Sequence, residues 1–262
     1  MQSLVPDGDL RPGAGPSATV PPPDSPYWGF YEQVAAAQLA AWVPTEPGRV
    51  LDLSGCGSRY AGQLAAAGHD VLVATGPDLD GLEPPREGPG RLRPVVADIR
   101  SLGWLRDGSV DAVLAESRAL SMCLATEVVA EDLHRILRPG GRLLLVVETL
   151  VLGLARLAEQ GRWAELADVP AADVVLVPSP DGSITRCFWP AELTALLTGA
   201  GLVVDWMRPR TVLTPAAVEH ALATGGPEAM AALVRTETRL AENQTDSTGL
   251  HLVVSARRPA GG

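Results

Sequence analysis

Short apolar runs alternate with longer segments of helical periodicity along most of the chain. The apolar runs, rich in Val, Leu and Ile, predict strands at 49–53, 69–75, 93–98, 110–116, 142–148, 202–207 and 251–256. The segments between them predict helices at 31–42, 60–67, 127–137, 190–198, 216–222 and 227–242. Strands that alternate with helices form a mostly parallel sheet with helices on both faces, so we expect an α/β, Rossmann-like fold.

Residues 150–190 interrupt this alternation. Two short helical segments, at 152–159 and 163–166, precede a pair of apolar runs, VVLV at 174–177 and ITRCF at 184–188. The turn sequence SPDGS separates these runs, which is the pattern of a β-hairpin. We therefore expect a small insert after the fifth strand, placed over the sheet as a substrate lid.

The N-terminal part of the chain has a different composition. Residues 1–26 hold seven prolines among Gly, Ser and Asp. Such a segment buries little apolar surface, so we predict that it is disordered and that the domain spans 27–262. Four aromatic side chains follow in the stretch YWGFY at 27–31. This end of the first helix either packs on the sheet or forms a lid over a planar or cationic ligand.

Composition and charge narrow the function classes. The 262 residues, 46% of them hydrophobic, suit one large domain or one domain with a lid. A net charge of −10 argues against nucleic acid as the main partner. Basic proteins bind nucleic acid by displacing the counterions condensed on it, and an acidic protein gains nothing from this release. The chain has no lysine, which excludes a lysine Schiff base, and its three cysteines form no CxxC motif that would indicate a zinc cluster. Without a signal-peptide pattern or a membrane-spanning apolar stretch, we expect a cytoplasmic protein with no membrane partner.

Polar side chains stand where the first four predicted strands end. They are Asp52, Thr75, Asp98 and Glu116. In a parallel sheet these ends meet at one edge, where ligands bind. The first strand also leads into a turn of small residues, LSGCGS at 53–58, and then into an Ala-rich helix. Such a unit presents backbone N–H groups to a nucleotide, so we expect a nucleotide-type ligand at this edge.

Several segments in this order resemble a known family. They are VLDLSGCGSRYA at 50–61, GHDVLVATGPD at 68–78, VVADI at 95–99, GSVDAVLAES at 108–117, LHRILRPGGRLLLV at 133–146, FWPAELTALLTGAG at 188–201 and GLHLVVSARRP at 249–259. Together they are similar to the class I S-adenosylmethionine-dependent methyltransferases. The resemblance implies a seven-stranded sheet whose antiparallel seventh strand lies between strands five and six. It also implies S-adenosylmethionine as the cofactor, bound above strands one, two and four.

The resemblance also implies roles for individual residues. The implied cofactor contacts are Asp52, Ser54, Gly55 and Gly57 in the first turn, Thr75 at the ribose, Asp98 and Ile99 at the adenine, and Glu116 and Tyr31 near the methyl group. The chain departs from the family at two places. The family turn D-x-G-x-G-x-G regains two of its glycines here only if the alignment is shifted by one residue. A threonine also stands where the family has an acid, and its hydroxyl makes one bond where a carboxylate accepts two strong ones.

Methyl transfer requires alignment of the reactants and exclusion of water, and it requires a base only for a poor nucleophile such as an alcohol or a phenol. Glu116 and His251 are the candidate bases, and no metal-ligand spacing is present. We predict transfer of a methyl group to a small-molecule acceptor held between the aromatic stretch and the insert. Two alternatives stay open. One is a degenerate member that acts as a scaffold or partner subunit, and the other is a member that runs different chemistry with the cofactor.

Overall fold

A computed structural model describes residues 20–55, 60–76, 89–116, 118–172, 174–179, 182–243 and 249–261. Its strands are β1 (Arg49–Asp52), β2 (Asp70–Thr75), β3 (Arg91–Val96), β4 (Val110–Ala115), β5 (Leu137–Glu148), β6 (Val175–Pro178), β7 (Ile184–Cys187), β8 (Val203–Pro209) and β9 (His251–Arg257). Its helices are α1 (Pro26–Trp42), α2 (Ala61–Ala66), α3 (Thr126–Ile136), α4 (Leu150–Glu159), α5 (Trp163–Asp168), α6 (Pro190–Gly199), α7 (Pro215–Thr224) and α8 (Ala229–Asn243). Each strand and helix predicted from the sequence has a counterpart here.

Seven of these strands form one sheet in the order β3-β2-β1-β4-β5-β9-β8. The first five strands pair in parallel, and β9 runs antiparallel between β5 and β8. This arrangement confirms the predicted Rossmann-like, mostly parallel sheet, including the position of its antiparallel last strand. The carboxyl ends of β1, β2 and β4 lie side by side, as the strand-end argument requires.

Strand β5 lies between β4 and β9 inside the sheet, and its residues Leu143 to Val147 are fully buried. The predicted strand began at residue 142, but β5 already begins at Leu137. The pairing with β4 jumps from Val110↔Leu137 to Ala112↔Arg142, so the segment RPGG forms a bulge inside the strand. Gly140 has φ +79, and its N–H donates to Arg258 O at 3.0 Å. Turn-forming residues therefore end α3 here without ending the sheet pairing.

Two apolar layers cover the two faces of the sheet. Successive side chains of β1 point to opposite faces and so belong to different layers. Val50 faces a layer formed with α1 and α2, which includes Leu39 and Leu64. Leu51 faces the opposite layer, formed with α3 and α6. Both layers are continuous clusters of buried side chains, so helices cover both faces of the sheet as predicted.

The aromatic end of α1 packs on helices. Ser25 caps α1 by accepting a hydrogen bond from Tyr27 N at 3.1 Å. Tyr27 and Phe30 are fully buried in a cluster with side chains of α7 and α8, including Val218. The prediction that this aromatic end packs on the sheet is therefore wrong, because it packs on α7 and α8. Residues 1–19 of the segment predicted to be disordered lie outside the described residues.

The insert after β5 consists of α4, α5 and the separate antiparallel hairpin β6–β7. Leu150 and Leu157 of α4 pack against Val177 and Cys187 of the hairpin in a small core of their own. Phe188, which directly follows β7, forms a bridge with Thr149 at the end of β5. The insert is thus anchored at the edge of the sheet where the strand ends meet.

Candidate active site

Two cavities at the carboxyl ends of the strands share Ser54 as a wall residue. The outer cavity, of about 600 Å³, lies over β1, β2 and β3 and is bordered by Ser54, Gly55, Thr75, Asp98, Ile99 and Met122, among others. The inner cavity, of about 390 Å³, lies between α1, α4 and the ends of β4 and β9, and is bordered by Tyr31, Ser54, Glu116, Arg118, Arg156 and His251, among others. Eight of the predicted site residues border one cavity or the other. Asp52 is buried beneath the first turn, and Gly57 lies outside the described residues.

The turn after β1 is held by a chain of hydrogen bonds from neighbouring strands. Asp52 is fully buried, and its Oδ1 accepts from Ser54 N at 2.8 Å. The Ser54 hydroxyl oxygen in turn accepts from Glu116 N at 3.1 Å, which joins the turn to the end of β4. In the described part of this turn the positive φ, +73°, falls on Gly55, where a Cβ would meet no atom within 4 Å. The left-handed conformation is thus adopted by a glycine despite the altered motif. The space beside Gly55 is open.

The outer cavity collects an uncharged hydroxyl, a carboxylate and apolar side chains. Thr75 ends β2 and is almost fully buried. Asp98 is half-exposed and accepts hydrogen bonds from Arg100, at 3.0 Å from Nη2 and 2.9 Å from the backbone N. The side-chain bonds from Arg100 hold the pKa of the Asp98 carboxyl below its ordinary value. Ile99 packs against the core beneath the same cavity.

Glu116 is engaged by an arginine that the sequence analysis did not select. Arg210, fully buried at the end of β8, donates to Glu116 Oε1 at 2.7 Å and to Oε2 at 3.1 Å. Burial opposes the charge of Arg210, but the Glu116 carboxylate outweighs it and keeps the pKa of the guanidinium above its ordinary value. Both oxygens of the Glu116 carboxylate are thus engaged in charge-assisted hydrogen bonds.

Tyr31 and His251 form a pair in the wall of the inner cavity. The phenolic oxygen and His251 Nδ1 share a hydrogen bond of 3.0 Å, and the rings meet edge to face. Burial raises the pKa of Tyr31 to about 12, so the phenol stays protonated. Burial, and then the charges of three arginines led by Arg118, hold the pKa of His251 well below its ordinary value. The imidazole is therefore neutral at physiological pH, and within the described structure its Nε2 has no hydrogen-bond partner.

A third charged group at the inner cavity centres on Glu148, which is fully buried at the end of β5. Its two oxygens accept from Arg118 Nη1 and, at 2.5 Å, from Arg156 Nη1. Arg118 has φ +58, the one positive value at a non-glycine residue in the described ranges, and such conformations occur often at functional sites. The sequence could have indicated part of this group, because Glu148 ends the apolar run LLLVV and a buried acid needs a cation. The identity of the two arginines could not be deduced from spacing.

The described residues contain no cluster of His, Cys, Asp and Glu able to hold a metal ion. Among the helices whose residues could be described, none combines the length and apolar character needed to cross a bilayer. The candidate chemistry is therefore that of the hydroxyl, carboxylate, imidazole and guanidinium groups of the two cavities.

A comparison with protein families matches residues 51–145 to the family model described as "Methyltransferase domain". The matched segment covers β1 to β5 and contains the first turn and the end of β4. This part of the chain is similar to the class I S-adenosylmethionine-dependent methyltransferases. This confirms the resemblance seen in the sequence, and S-adenosylmethionine is the cofactor that the family implies for the chain. A comparison with curated proteins found no significant match.

Solved structures with the same fold include several methyltransferases. An S-adenosylmethionine-dependent methyltransferase of Methanosarcina mazei is 19% identical, with a TM-score of 0.56 over 86% of this chain and 98% of the other. One from Mesorhizobium loti is 18% identical, with a TM-score of 0.56 over 86% and 98% of the two chains. The 1,6-didemethyltoxoflavin-N1-methyltransferase of Burkholderia thailandensis, solved with its substrate and S-adenosylhomocysteine, is 20% identical, with a TM-score of 0.52 over 89% and 81%. At these identities the likeness is one of fold.

The chemistry of the outer cavity fits this cofactor. A nucleoside offers hydroxyl groups and a planar apolar ring, and the cavity supplies Thr75 and Asp98 as polar partners and Ile99 and Met122 as apolar surface. Gly55 leaves the space beside the first turn open, since no atom lies within 4 Å of where its Cβ would be. Ser54 lines both this cavity and the inner one.

Proposed function

We propose that the protein transfers a methyl group from S-adenosylmethionine to a small-molecule acceptor bound in the inner cavity. The observation that carries this proposal is a pair of cavities over the ends of β1, β2 and β4 that share Ser54 as a wall residue. One cavity has the chemistry of a nucleoside site, and the other is a partly enclosed pocket of small-molecule size. The acidic charge of the chain, −10, supports a small acceptor over nucleic acid.

In this proposal Thr75, Asp98, Ile99 and Gly55 hold the nucleoside side of the cofactor, and Ser54 with the buried Asp52 shapes the turn beside it. When bound, the cofactor supplies a methyl group activated by a sulfonium. The protein's contribution is to align the acceptor and to exclude water. Tyr31 and Trp28 of α1 and Leu152 of α4 border the inner cavity, which supports a covering role for both segments.

His251 and Glu116 border the acceptor cavity, and we propose that they orient the acceptor. Proton uptake by His251 is opposed by burial and by Arg118, Arg210 and Arg156. Both oxygens of Glu116 accept hydrogen bonds from Arg210. An acceptor that already carries a lone pair or a negative charge needs no base, and this environment suits it better than a neutral alcohol does.

The competing function is that of a degenerate member that no longer binds the cofactor. Two observations favour it. A threonine stands at the ribose position, and the Asp98 carboxylate is already bonded to Arg100. A cofactor hydroxyl or amino group must compete with these bonds, although the exposure of Asp98 keeps that competition weak.

Calorimetric titration with S-adenosylhomocysteine separates the two functions. The variant Thr75→Asp restores the family's acid, and Thr75→Val removes the hydroxyl with little change of shape. Under our proposal the unaltered protein binds with micromolar affinity, Thr75→Val binds less tightly and Thr75→Asp more tightly. If the unaltered protein shows no heat of binding while Thr75→Asp binds, the scaffold function is favoured. Transfer of a radiolabelled methyl group into small molecules of a cell extract then tests the reaction itself.

A further inference from the structure

Two arginines at the inner cavity share a single carboxylate. Arg118 follows β4, Arg156 lies on α4, and each donates through Nη1 to one oxygen of Glu148. A guanidinium has five N–H donors. In the described structure the Nε and Nη2 groups of both arginines have no hydrogen-bond partner. Both side chains thus keep donors that the pairing with Glu148 does not use.

The side chains of the two arginines are accessible, and the carboxylate that they share is not. Glu148 is fully buried, whereas the side chains of Arg118 and Arg156 keep 41% and 22% of their surface exposed. Both arginines border the inner cavity. A ligand in the cavity therefore meets the guanidinium groups and not the acid behind them.

Within the group around Glu148 the charges do not cancel. Two guanidinium groups pair with one carboxylate, which leaves one positive charge at this group. Glu116 also borders the cavity and pairs with Arg210. Glu32 borders the cavity too and has interactions of its own. A surplus guanidinium with a planar array of donors is the preferred partner of a carboxylate.

Three aromatic side chains form another part of the cavity wall, beside the aliphatic residues Val20, Leu152 and Leu250. Trp28, Tyr31 and Tyr60 border it, and Trp28 and Tyr31 meet edge to face with centroids 5.6 Å apart. His251 lies beside them as a neutral ring that adds no charge. Flat aromatic walls favour a planar ligand, because ring contacts depend on geometry as well as on area.

We propose that the acceptor is an aromatic carboxylate whose carboxyl group is bound by Arg118 and Arg156. This inference rests on the proposed function, since it names the acceptor class of the same cavity. A carboxylate could also come from the methionine part of the cofactor. We assign the site to the acceptor because Arg156 lies on the insert and both arginines border the inner cavity but not the outer one.

The test compares benzoate with benzamide, which has the same shape and no charge. Each is titrated calorimetrically into the full-length protein saturated with S-adenosylhomocysteine. We expect benzoate to bind about tenfold more tightly than benzamide, the value of roughly one charge-assisted hydrogen bond. Arg118→Gln and Arg156→Gln should each remove most of this preference. Arg162→Gln, which breaks an exposed pair with Glu165 on the same insert, should leave it unchanged.

Folding of the variants is controlled in the same experiment. Arg156→Lys keeps a cation beside Glu148 and so avoids an unpaired buried acid, but it loses the planar donor array. This variant should bind benzoate several-fold less tightly, and its affinity for benzamide should be unchanged. The affinity for S-adenosylhomocysteine should stay within about twofold in all variants, since no charge-assisted bond to it is lost.

Three results would overturn the inference. The first is equal affinity for benzoate and benzamide, and the second is no benzoate binding at millimolar concentration. The third is a loss of S-adenosylhomocysteine affinity in the arginine variants with the benzoate preference retained, which would assign the arginines to the cofactor. Failure of the proposed function looks different, because then the unaltered protein does not bind S-adenosylhomocysteine at all. Benzoate titrated into the cofactor-free protein would still report on the arginine pair.

Discussion

The ion pair between Arg210 and Glu116 offers a quantitative test of how the site is built. Arg210 is fully buried, and Glu116 is 10% exposed. Replacing Arg210 by Met keeps an unbranched apolar chain of similar length but leaves the Glu116 carboxylate without its partner. The two hydrogen bonds of 2.7 and 3.1 Å are lost, together with the contact of the guanidinium over the Tyr31 ring at 5.4 Å.

The magnitude follows from these contacts. Removing one partner of a buried ion pair costs about 3 to 5 kcal/mol. Part of this is offset, because Arg210 Nε is itself buried without a partner, and removing it relieves about 1 kcal/mol. We therefore expect Arg210→Met to lower the free energy of unfolding by about 3 kcal/mol. That is a large share of the roughly 5 to 15 kcal/mol that stabilises a typical domain.

The assay is urea unfolding followed by circular dichroism, applied to a double-mutant cycle of Arg210→Met, Glu116→Gln and both together. Glu116→Gln alone leaves the guanidinium buried without an anion and should also be strongly destabilising. The double variant buries no unpaired charge, so its loss should be smaller than either single loss, at about 1 kcal/mol. Arg162→Met, which breaks an exposed pair, should cost less than about 1 kcal/mol. A small effect of Arg210→Met, or strict additivity in the cycle, would refute the reasoning.

Three further predictions concern packing, pH and capping. Gly153→Ala should cost about 1 to 2 kcal/mol in urea unfolding despite the gain in helix propensity, because a Cβ there would lie 2.8 Å from Cys187 Sγ. Gly103→Ala, whose Cβ would meet no atom closer than 3.9 Å, is its control, and equal losses would contradict the packing argument. The folded-state pKa of His251 lies well below 6.5, so its contribution to stability is fully present above pH 6.5 and is lost as the pH falls. The slope should reach about 1.4 kcal/mol per pH unit below pH 6.5, and His251→Gln should flatten it there, whereas an unchanged slope would show that His251 is not its source. Ser25→Ala should cost about 1 kcal/mol, because Ser25 accepts from Tyr27 N and donates to Glu219 Oε1 at 2.5 Å, and an unchanged unfolding midpoint would argue against this cap.

Much of the outer cavity could be predicted because ligands bind where the carboxyl ends of parallel strands meet. Thr75 and Asp98 were selected because each follows an apolar run, and the parallel sheet brings such ends to one edge. The structure has both at the outer cavity with Gly55 and Ile99. Only the topology of the sheet was needed for this, and topology follows from the alternation of strands and helices.

The acceptor side shows where prediction stopped. Tyr31 and His251 were selected separately, and their hydrogen bond joins positions 220 residues apart. Arg210, Arg118 and Arg156 were not selected, although together they engage the acids that end β4 and β5. An arginine has a long flexible side chain and no periodic signature, so its partner depends on which elements converge in space.

The sequence by itself determined the sheet, its helices and the resemblance to methyltransferases, because these depend on periodicity and on residues close in the chain. Tertiary structure alone decided that α1 packs its aromatic end on α7 and α8, that the segment RPGG becomes a bulge inside β5, and that Glu148 receives two arginines. These features depend on side chains from distant elements meeting in a buried space. There, an unpaired charge is costly and each acid must find a cation.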